Sequence, residues 1–303
     1  MNRPRPALPL LTAIVPVTLM SNQLNLLNEW VKECGGKSIE ILILHDKRDE
    51  QTGLELRKLV ADNPESNVTF LEGEFGSPGN ARNLGIQVAN GEWIAFWDCD
   101  DRPRIQKVLE ILQLESDNHD TDVLVGQFNI FDVSKNAVVN RGREDESLWD
   151  VALNPGVWRM LFRKKSIANI QFSSFKMAED QNFLSSFSLP EKRYKILKTI
   201  LYTYYIGNFG QLTSQKSAVN DILNAAKFTL SRINNSSCAV RDFNVTLFVR
   251  QISTGIIKGS ILIKIKCLIL LMKALTTNGV TTMTIIIRKV FRILLQYKSR
   301  KLI

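Results

Sequence analysis

Short apolar runs alternate with helix-like stretches along the first hundred positions of this chain. Leu11 to Val17, Ile39 to Leu44, Val68 to Leu71 and Trp93 to Trp97 have the length and make-up of buried strands. Between them, Gln23 to Cys34, about Thr52 to Ala61 and about Gly79 to Ala89 are amphipathic at helical spacing. Gly35-Gly36, Asn63-Pro64 and Asn90-Gly91 follow these three segments as stop signals. The alternation predicts an α/β fold: a mostly parallel central sheet with helices on both faces. Further on, Pro103 opens a helix over Ile105 to about Leu114, followed by a strand from Val123 to Phe131 and a hairpin in "DVSKNAVVN". Val157 to Phe162 reads as another strand, "FKMAEDQNFLSSF" as a helix start, Ile196 to Ile206 as the last strand, and Gln215 to about Ser231 as a helix. There is no internal repeat or low-complexity linker.

Composition supports a large core, with 45% hydrophobic and 23% charged residues among 303. Arg3 and Arg5 precede an apolar stretch, but Pro9 and Pro16 interrupt it and no A-x-A site follows, so it reads as a first strand and not a signal peptide. No apolar run reaches the roughly 20 uncharged residues of a spanning helix. Cys34, Cys99, Cys238 and Cys267 are scattered, without the spacing of a zinc site or a disulfide framework, and suit a reducing cytoplasm. With His45 and His119 the only histidines, a histidine-rich metal centre is excluded and a Ser-His-Asp triad is disfavoured. Carboxylate chemistry remains.

Charge is uneven. No acid follows Asp242, whereas eleven Lys and Arg do; since the whole chain carries +9, the first 242 residues carry −2. From Met283 to Tyr297, Arg288, Lys289 and Arg292 share one helical face, with Ile286, Ile287, Val290, Phe291, Ile293 and Leu294 on the opposite arc. Such a helix lies on an anionic membrane surface or packs on the body with its charges in water; the membrane surface is the expectation. No recognition motif accompanies the charge, so nucleic acid is not an expected partner.

In open α/β sheets ligands bind beyond the carboxyl ends of the strands. Those positions here are Thr18, Asp46, Gly73 to Gly79, and Asp98 to Asp101. "GEFGSPGNARN" joins three glycines to a helix start, where free N–H groups meet a phosphate or simply form a loop; Arg82 in the first turn is a further phosphate candidate. "DCDD" ends an apolar strand. In extended chain Asp98 and Asp100 project to the same side, which suits a hard divalent cation; the alternative is capping of the helix after Pro103. Glu179 and Asp180 are either catalytic or the acids any helix favours in its first turn. Trp158 is a candidate acceptor contact as readily as core, while Trp93 and Trp97 read as core.

Together, "ARNLGIQVANGEWIAFWDCDD", "MAEDQNF" and "TYYIGNFGQLTS" resemble the family 2 nucleotide-sugar glycosyltransferases of the GT-A fold, a likeness spanning about Leu11 to Thr213. The resemblance implies a Rossmann-like GT-A catalytic domain over 1–213, its nucleotide-sugar half at about 1–101 and its acceptor half at about 102–213. Residues 214–303 would form a helical, basic, surface-associating region. It further implies a donor site at Pro16, Thr18, Asp46, Gly79, Arg82 and Asp98, and a Mn2+ or Mg2+ ion held by Asp100 and Asp98 with Asp101 in support. Asp180 would be the base that deprotonates the acceptor hydroxyl, and Glu179 would help place it. The implied reaction is an inverting transfer from a nucleoside-diphosphate sugar to a glycan or lipid-linked acceptor, at the cytoplasmic face of a membrane, in cell-surface polysaccharide or lipopolysaccharide-type synthesis. The family's usual acids and Gly-Ser turn after the second strand are replaced here by His45-Asp46-Lys47-Arg48, so Lys47 or Arg48 would meet phosphate or solvent. The Q-x-x-R-W motif of processive synthases is absent, which points to addition of one or few sugars. Two other classes use similar features: a sugar-phosphate nucleotidyltransferase, whose glycine-rich loop lies nearer the N-terminus, and a non-catalytic carbohydrate-binding or scaffolding relative.

Overall fold

The computed structural model describes residues 8–115, 120–140, 146–207, 219–233, 236–277 and 282–290. In chain order the elements are β1 (Leu11–Val17), α1 (Asn25–Glu33), β2 (Ile39–Asp46), α2 (Glu50–Asp62), β3 (Asn67–Gly73), α3 (Pro78–Val88), β4 (Trp93–Phe96), β5 (Arg102–Pro103) and α4 (Ile105–Leu114). Then follow β6 (Val123–Asp132), β7 (Ala137–Asn140), α5 (Leu148–Leu153), β8 (Met160–Arg163), α6 (Lys164–Ile167), α7 (Glu179–Phe187), β9 (Tyr194–Ile206), α8 (Val219–Ile233), α9 (Cys238–Lys258), α10 (Ile261–Thr277) and α11 (282–290). They divide into two compact units. The first holds the sheet with α1 to α4 and α6; the second holds Glu146–Pro155, Phe175–Lys192 and the helices beyond 212.

In the first unit the sheet runs β3-β2-β1-β4-β8-β6-β9-β5, with β7 on β6. The order β3-β2-β1-β4 is parallel throughout, as the N-terminal alternation implies. Beyond it β8 is antiparallel to both β4 and β6, and β9 is parallel to β6. Every residue of β2 is buried, as befits a strand covered on both faces, whereas β3 at the edge is mostly half-exposed. α1 buries Leu27, Trp30 and Val31, and the Trp30 and Trp97 rings meet edge to face at 5.5 Å.

One polar cluster ties these layers together. Glu40, buried in β2, accepts from the Thr12 hydroxyl (2.6 Å), the Asn90 backbone N–H (2.8 Å) and the Asn90 side chain (2.6 Å). The Gly91 N–H in turn reaches the Thr12 hydroxyl at 2.7 Å. A buried carboxylate survives only with such partners, so the Asn90-Gly91 turn is held to β1 and β2 by side chains as well as by its own geometry.

Over Val157 to Phe162 the structure departs from a continuous strand. Val157–Arg159 form a 3-10 turn, and only Met160–Arg163 are extended. Tertiary contacts override local strand preference there: Trp158 stacks on Tyr202 and Tyr204, and Arg159 donates to the Gly126 carbonyl at 3.2 Å.

The second unit is helical. Phe248, Val249 and Ile252 of α9 pack with Leu223 and Ala226 of α8, with Cys267 and Ala274 of α10, and with Ile286 of α11. α5 and α7, expected within the 1–213 domain, group with these helices: α7 packs on α8 and α9, and α5 on α9. Lys289 also differs from expectation. It is buried on the same side of α11 as Ile286, with Nζ 2.9 Å from an Asp242 carboxylate oxygen and 3.9 Å from the centre of the Trp149 ring. An acid 47 positions upstream and an aromatic face thus draw this lysine inward, while Arg288 and Ile287 are exposed. Arg292 and the rest of the expected helix to Tyr297, the start of the expected helix at Gln215, and most of "GNFGQLTS" lie outside the described residues. Among the described residues no helix is long and apolar enough to cross a membrane.

Candidate active site

The carboxyl ends of the four parallel strands carry most of the expected donor residues. β1 pairs with β4 only as far as Ile14, whereas its pairing with β2 continues through Pro16 to Val17. Pro16, which has no N–H, therefore sits where β1 has a partner on one side only. Thr18 follows, half-exposed. At the end of β2 the Asp46 carboxylate takes two bonds from the Arg48 guanidinium (2.9 and 2.8 Å) and one from the Gly76 N–H (2.8 Å). Gly76 has φ +70°, a conformation natural to glycine, which lets that N–H turn back toward β2. The Arg48 hydrogen bond holds the Asp46 carboxyl below its usual range, with Gly76 adding to the effect against the cost of burial. Arg48 thus pairs with Asp46, and Lys47, Arg48, Glu74 and Gly76 line a shallow cleft beside them.

α3 begins as its sequence suggests. Ser77 caps the Asn80 N–H at 3.3 Å and Pro78 occupies the first turn. Gly79 is buried, and a Cβ there would overlap the Ser173 carbonyl oxygen, so the residue allows two backbones to touch. Asn83 completes the clamp, accepting from the Phe172 N–H (2.7 Å) and donating to its carbonyl (2.9 Å). Arg82, expected to reach for phosphate, is buried: it donates to Asp98 at 2.8 Å and lies over the Phe172 ring at 5.4 Å.

The acids after β4 separate by direction. Asp98 and Asp100 are half-exposed; Cys99 between them and Asp101 after them are buried. The Asp98 backbone N–H donates to the Tyr202 hydroxyl at 3.0 Å, and Asp101 accepts from the Tyr205 N–H at 2.7 Å. Burial, followed by the charges of Asp100 and Asp98, pushes the Asp101 carboxyl well above its ordinary range. Burial likewise raises the Cys99 thiol and the Tyr202 phenol. Asp101 is thus a tie between the β4 end and β9. Capping does not account for the three acids, because α4 takes Arg104 as its N-cap, with no side-chain cap bond.

Among the described residues no group of three or more His, Cys, Asp or Glu side chains forms a metal cluster. Two half-exposed carboxylates, Asp98 and Asp100, nonetheless fit a hard cation of the magnesium type, which keeps waters and substrate oxygens in its other positions.

Glu179 and Asp180 belong to the second unit and open α7. Ala178 before them has φ +68°, an uncommon backbone for a residue with a Cβ and the kind of local strain that gathers at functional sites. Glu179 is buried, whereas Asp180 is half-exposed and accepts the Gln181 N–H at 2.7 Å. The helix is fixed from behind by Asn182, whose side-chain oxygen faces the Thr229 hydroxyl (3.3 Å) and the Gln251 amide (3.4 Å). In the first unit, half-buried Trp158 stacks on Tyr202 at 4.7 Å and on Tyr204 at 5.4 Å, with the edge of Phe128 at 4.9 Å.

Sequence reading overlooked Tyr202, Asn83 and Phe172. The alternation in "LYTYYI" placed Tyr202 and Tyr204 on one strand face, the one signal available; the partners of Asn83 lie 89 positions away.

The sequence pattern of the family described as "Glycosyl transferase family 2" matches residues 21–189, more than half of the chain. The chain belongs to this family. The family 2 chain is 21% identical over 243 residues to the minor teichoic acid biosynthesis protein GgaB of Bacillus subtilis, a match covering 76% of this chain and 26% of that protein. It thus spans about a quarter of that relative's length. In fold it is similar to S. aureus TarS 1–349, solved in complex with UDP-GlcNAc, at TM-score 0.69 and 18% identity, covering 90% and 82% of the two chains. The mannosyltransferase PcManGT of Pyrobaculum calidifontis, solved with GDP-Man and Mn2+, aligns at TM-score 0.55 and 13% identity over 94% and 87%. The family 2 chain therefore has the GT-A fold, with helices following it toward the C-terminus.

Proposed function

We propose that this chain transfers a sugar from a nucleoside-diphosphate donor to a hydroxyl of a growing cell-surface glycan, with inversion at the anomeric carbon and one or few additions per acceptor. One observation carries the reading: Asp98 and Asp100 are half-exposed just after β4, with the Asp98 carboxylate held by the Arg82 guanidinium and its backbone N–H by the Tyr202 hydroxyl. This arrangement supports a role in holding a metal-diphosphate, and the relatives solved with UDP-GlcNAc or with GDP-Man and Mn2+ support the donor class. Asp98 and Asp100 would hold the divalent ion, which when bound supplies neutralisation of the charge gathering on the leaving diphosphate. Asp46 and Thr18 would position the nucleoside, with Arg48 released from or shared with Asp46 on binding. Asp180, half-exposed at the start of α7, would take the proton of the acceptor hydroxyl, making the oxygen nucleophilic as the C–O bond to the leaving group breaks. Glu179 would fix the helix start, and Trp158 would offer a flat face to the acceptor sugar. The basic region after Asp242 would meet an anionic membrane surface, on the cytoplasmic side, where a lipid-linked acceptor is found. A nucleotidyltransferase reading is less well supported, because the glycine-rich loop lies between β3 and α3 and not at the start of the chain.

Calorimetric titration with UDP, GDP, CDP and dTDP, with and without manganese, tests the donor site. The reading expects one nucleotide to bind in a manganese-dependent way and Asp100→Ala to abolish that dependence. Binding of none by folded protein would sink it. Asp180→Asn should keep nucleotide binding and lose sugar transfer.

A further inference from the structure

α10 reads I-L-I-K-I-K-C-L-I-L-L-M-K-A-L-T-T, apolar almost all round. A helix of that kind is normally covered on every side. Among the described residues only one seam is covered: Ile263, Cys267, Leu270 and Ala274, spaced four, three and four residues apart, are buried against the other helices of the second unit. At about 100° per residue, Ile261, Leu262, Ile265, Leu268, Ile269 and Met272 fall on an arc of roughly 120° centred directly opposite that seam. All six are exposed, from 49% at Ile265 to 77% at Ile261. Contiguous apolar surface of this kind marks an interaction site.

The arc has charged edges. On the same wheel Lys264 lies at one border and Lys266 and Lys273 at the other, and all three are exposed. No acid occurs on α10 or anywhere after Asp242. A second copy laid on this face would bring lysine rim against lysine rim, and every charged side chain beyond 290 is a further cation. A bilayer with anionic headgroups complements both parts: acyl chains receive the apolar arc, while the lysine stems lie along it and carry their ammonium groups to the phosphates. We infer that α10 lies in the plane of an anionic membrane surface, apolar arc down, and is the element that seats this protein there. The inward-turned Lys289 removes one cation from the α11 face that the sequence suggested for this role. This inference rests on the surface reading of the basic region and is independent of the transferase chemistry.

The test is flotation of the full chain with vesicles of phosphatidylglycerol and phosphatidylcholine, against phosphatidylcholine alone. The wild type should float with the anionic vesicles, and Ile265→Glu/Ile269→Glu should partition at least about tenfold less, since two large apolar side chains lose their burial. The altered positions face away from the packed seam, so the melting curve and manganese-dependent nucleotide binding should match the wild type. Leu268→Trp should show a blue-shifted emission on adding anionic vesicles. Flotation that survives in the Ile265→Glu/Ile269→Glu variant but is lost in Arg288→Glu/Arg292→Glu would keep the basic surface and overturn the role of α10. A wild-type chain unbound to anionic vesicles at low salt would overturn both. A lipid-free dimer dissolved by the same glutamate pair would assign the face to a second copy and refute the inference.

Discussion

Tyr202→Phe removes one oxygen from the candidate donor site and leaves the ring in place. In the folded protein the Tyr202 side chain is fully buried, its ring stacked on Trp158 at 4.7 Å and its hydroxyl accepting the Asp98 N–H at 3.0 Å. Phenylalanine keeps the stack, so the cost is confined to the hydroxyl. A buried donor left without its acceptor costs about 1–3 kcal/mol, and because Asp98 itself is half-exposed, water offsets part of this, giving about 1–2 kcal/mol. At roughly 2–4 °C per kcal/mol for a unit of this size, the transition of the sheet unit should fall by several degrees. The functional effect should be the larger one. Asp98 loses its backbone tether while keeping Arg82, and misplacement of such a group by about 1 Å costs on the order of a hundredfold in rate. Manganese-dependent affinity for the nucleotide that binds the wild type should fall at least tenfold, about 1.4 kcal/mol. Calorimetry and differential scanning on the same preparation read both quantities. If Tyr202→Phe melts and binds like the wild type, the hydroxyl does not hold Asp98 in place.

Gly79→Ala puts a methyl group into the Ser173 carbonyl and should cost about 1–3 kcal/mol in urea unfolding; an unchanged midpoint would contradict the close approach of the two backbones. Glu40→Ala leaves the Thr12 and Asn90 donors without their acceptor inside the sheet and should cost at least about 3 kcal/mol by the same measurement, against which a wild-type midpoint would stand. The Asp46 carboxyl is held below its usual range chiefly by Arg48, so its contribution is present above the ordinary carboxylate pKa of about 3.9 and is lost as pH falls through the depressed folded value. Arg48→Gln should therefore lose less stability than the wild type between pH 5 and pH 2. With Arg48 58% exposed the difference should stay under about 1 kcal/mol, and identical acid profiles would argue against the pair.

The first four strands, their helices and the acids that follow β4 were legible because each depends on local pattern. A buried strand is apolar along its length, a helix repeats its apolar face every three to four residues, and the turn signals fall between them. That is why the pattern places a helix at Ile105 to about Leu114, where α4 is found, and why the S-P-G stretch signals a helix start. The same pattern is silent about partners distant in the chain. Val157 to Phe162 has the composition of a strand, yet the aromatic partners of Trp158 on β9 turn its first half into a 3-10 turn. Lys289 looks like a surface cation until Asp242 and Trp149 are brought beside it.

By itself the sequence singled out the residues proposed to carry the chemistry: the acids that follow β4, the pair at the start of α7, and an acid-free, lysine-bearing C-terminal region. Only tertiary structure decided how they are divided. Asp101 turned inward to become a tie while Asp98 and Asp100 stayed at the surface, and α5 and α7 joined the C-terminal helices in place of the sheet. Among the described residues α10 has one apolar face packed and the opposite one exposed. Periodicity along a chain records that a side chain prefers burial or water, whereas the partner that satisfies it is fixed by contacts between elements tens of residues apart.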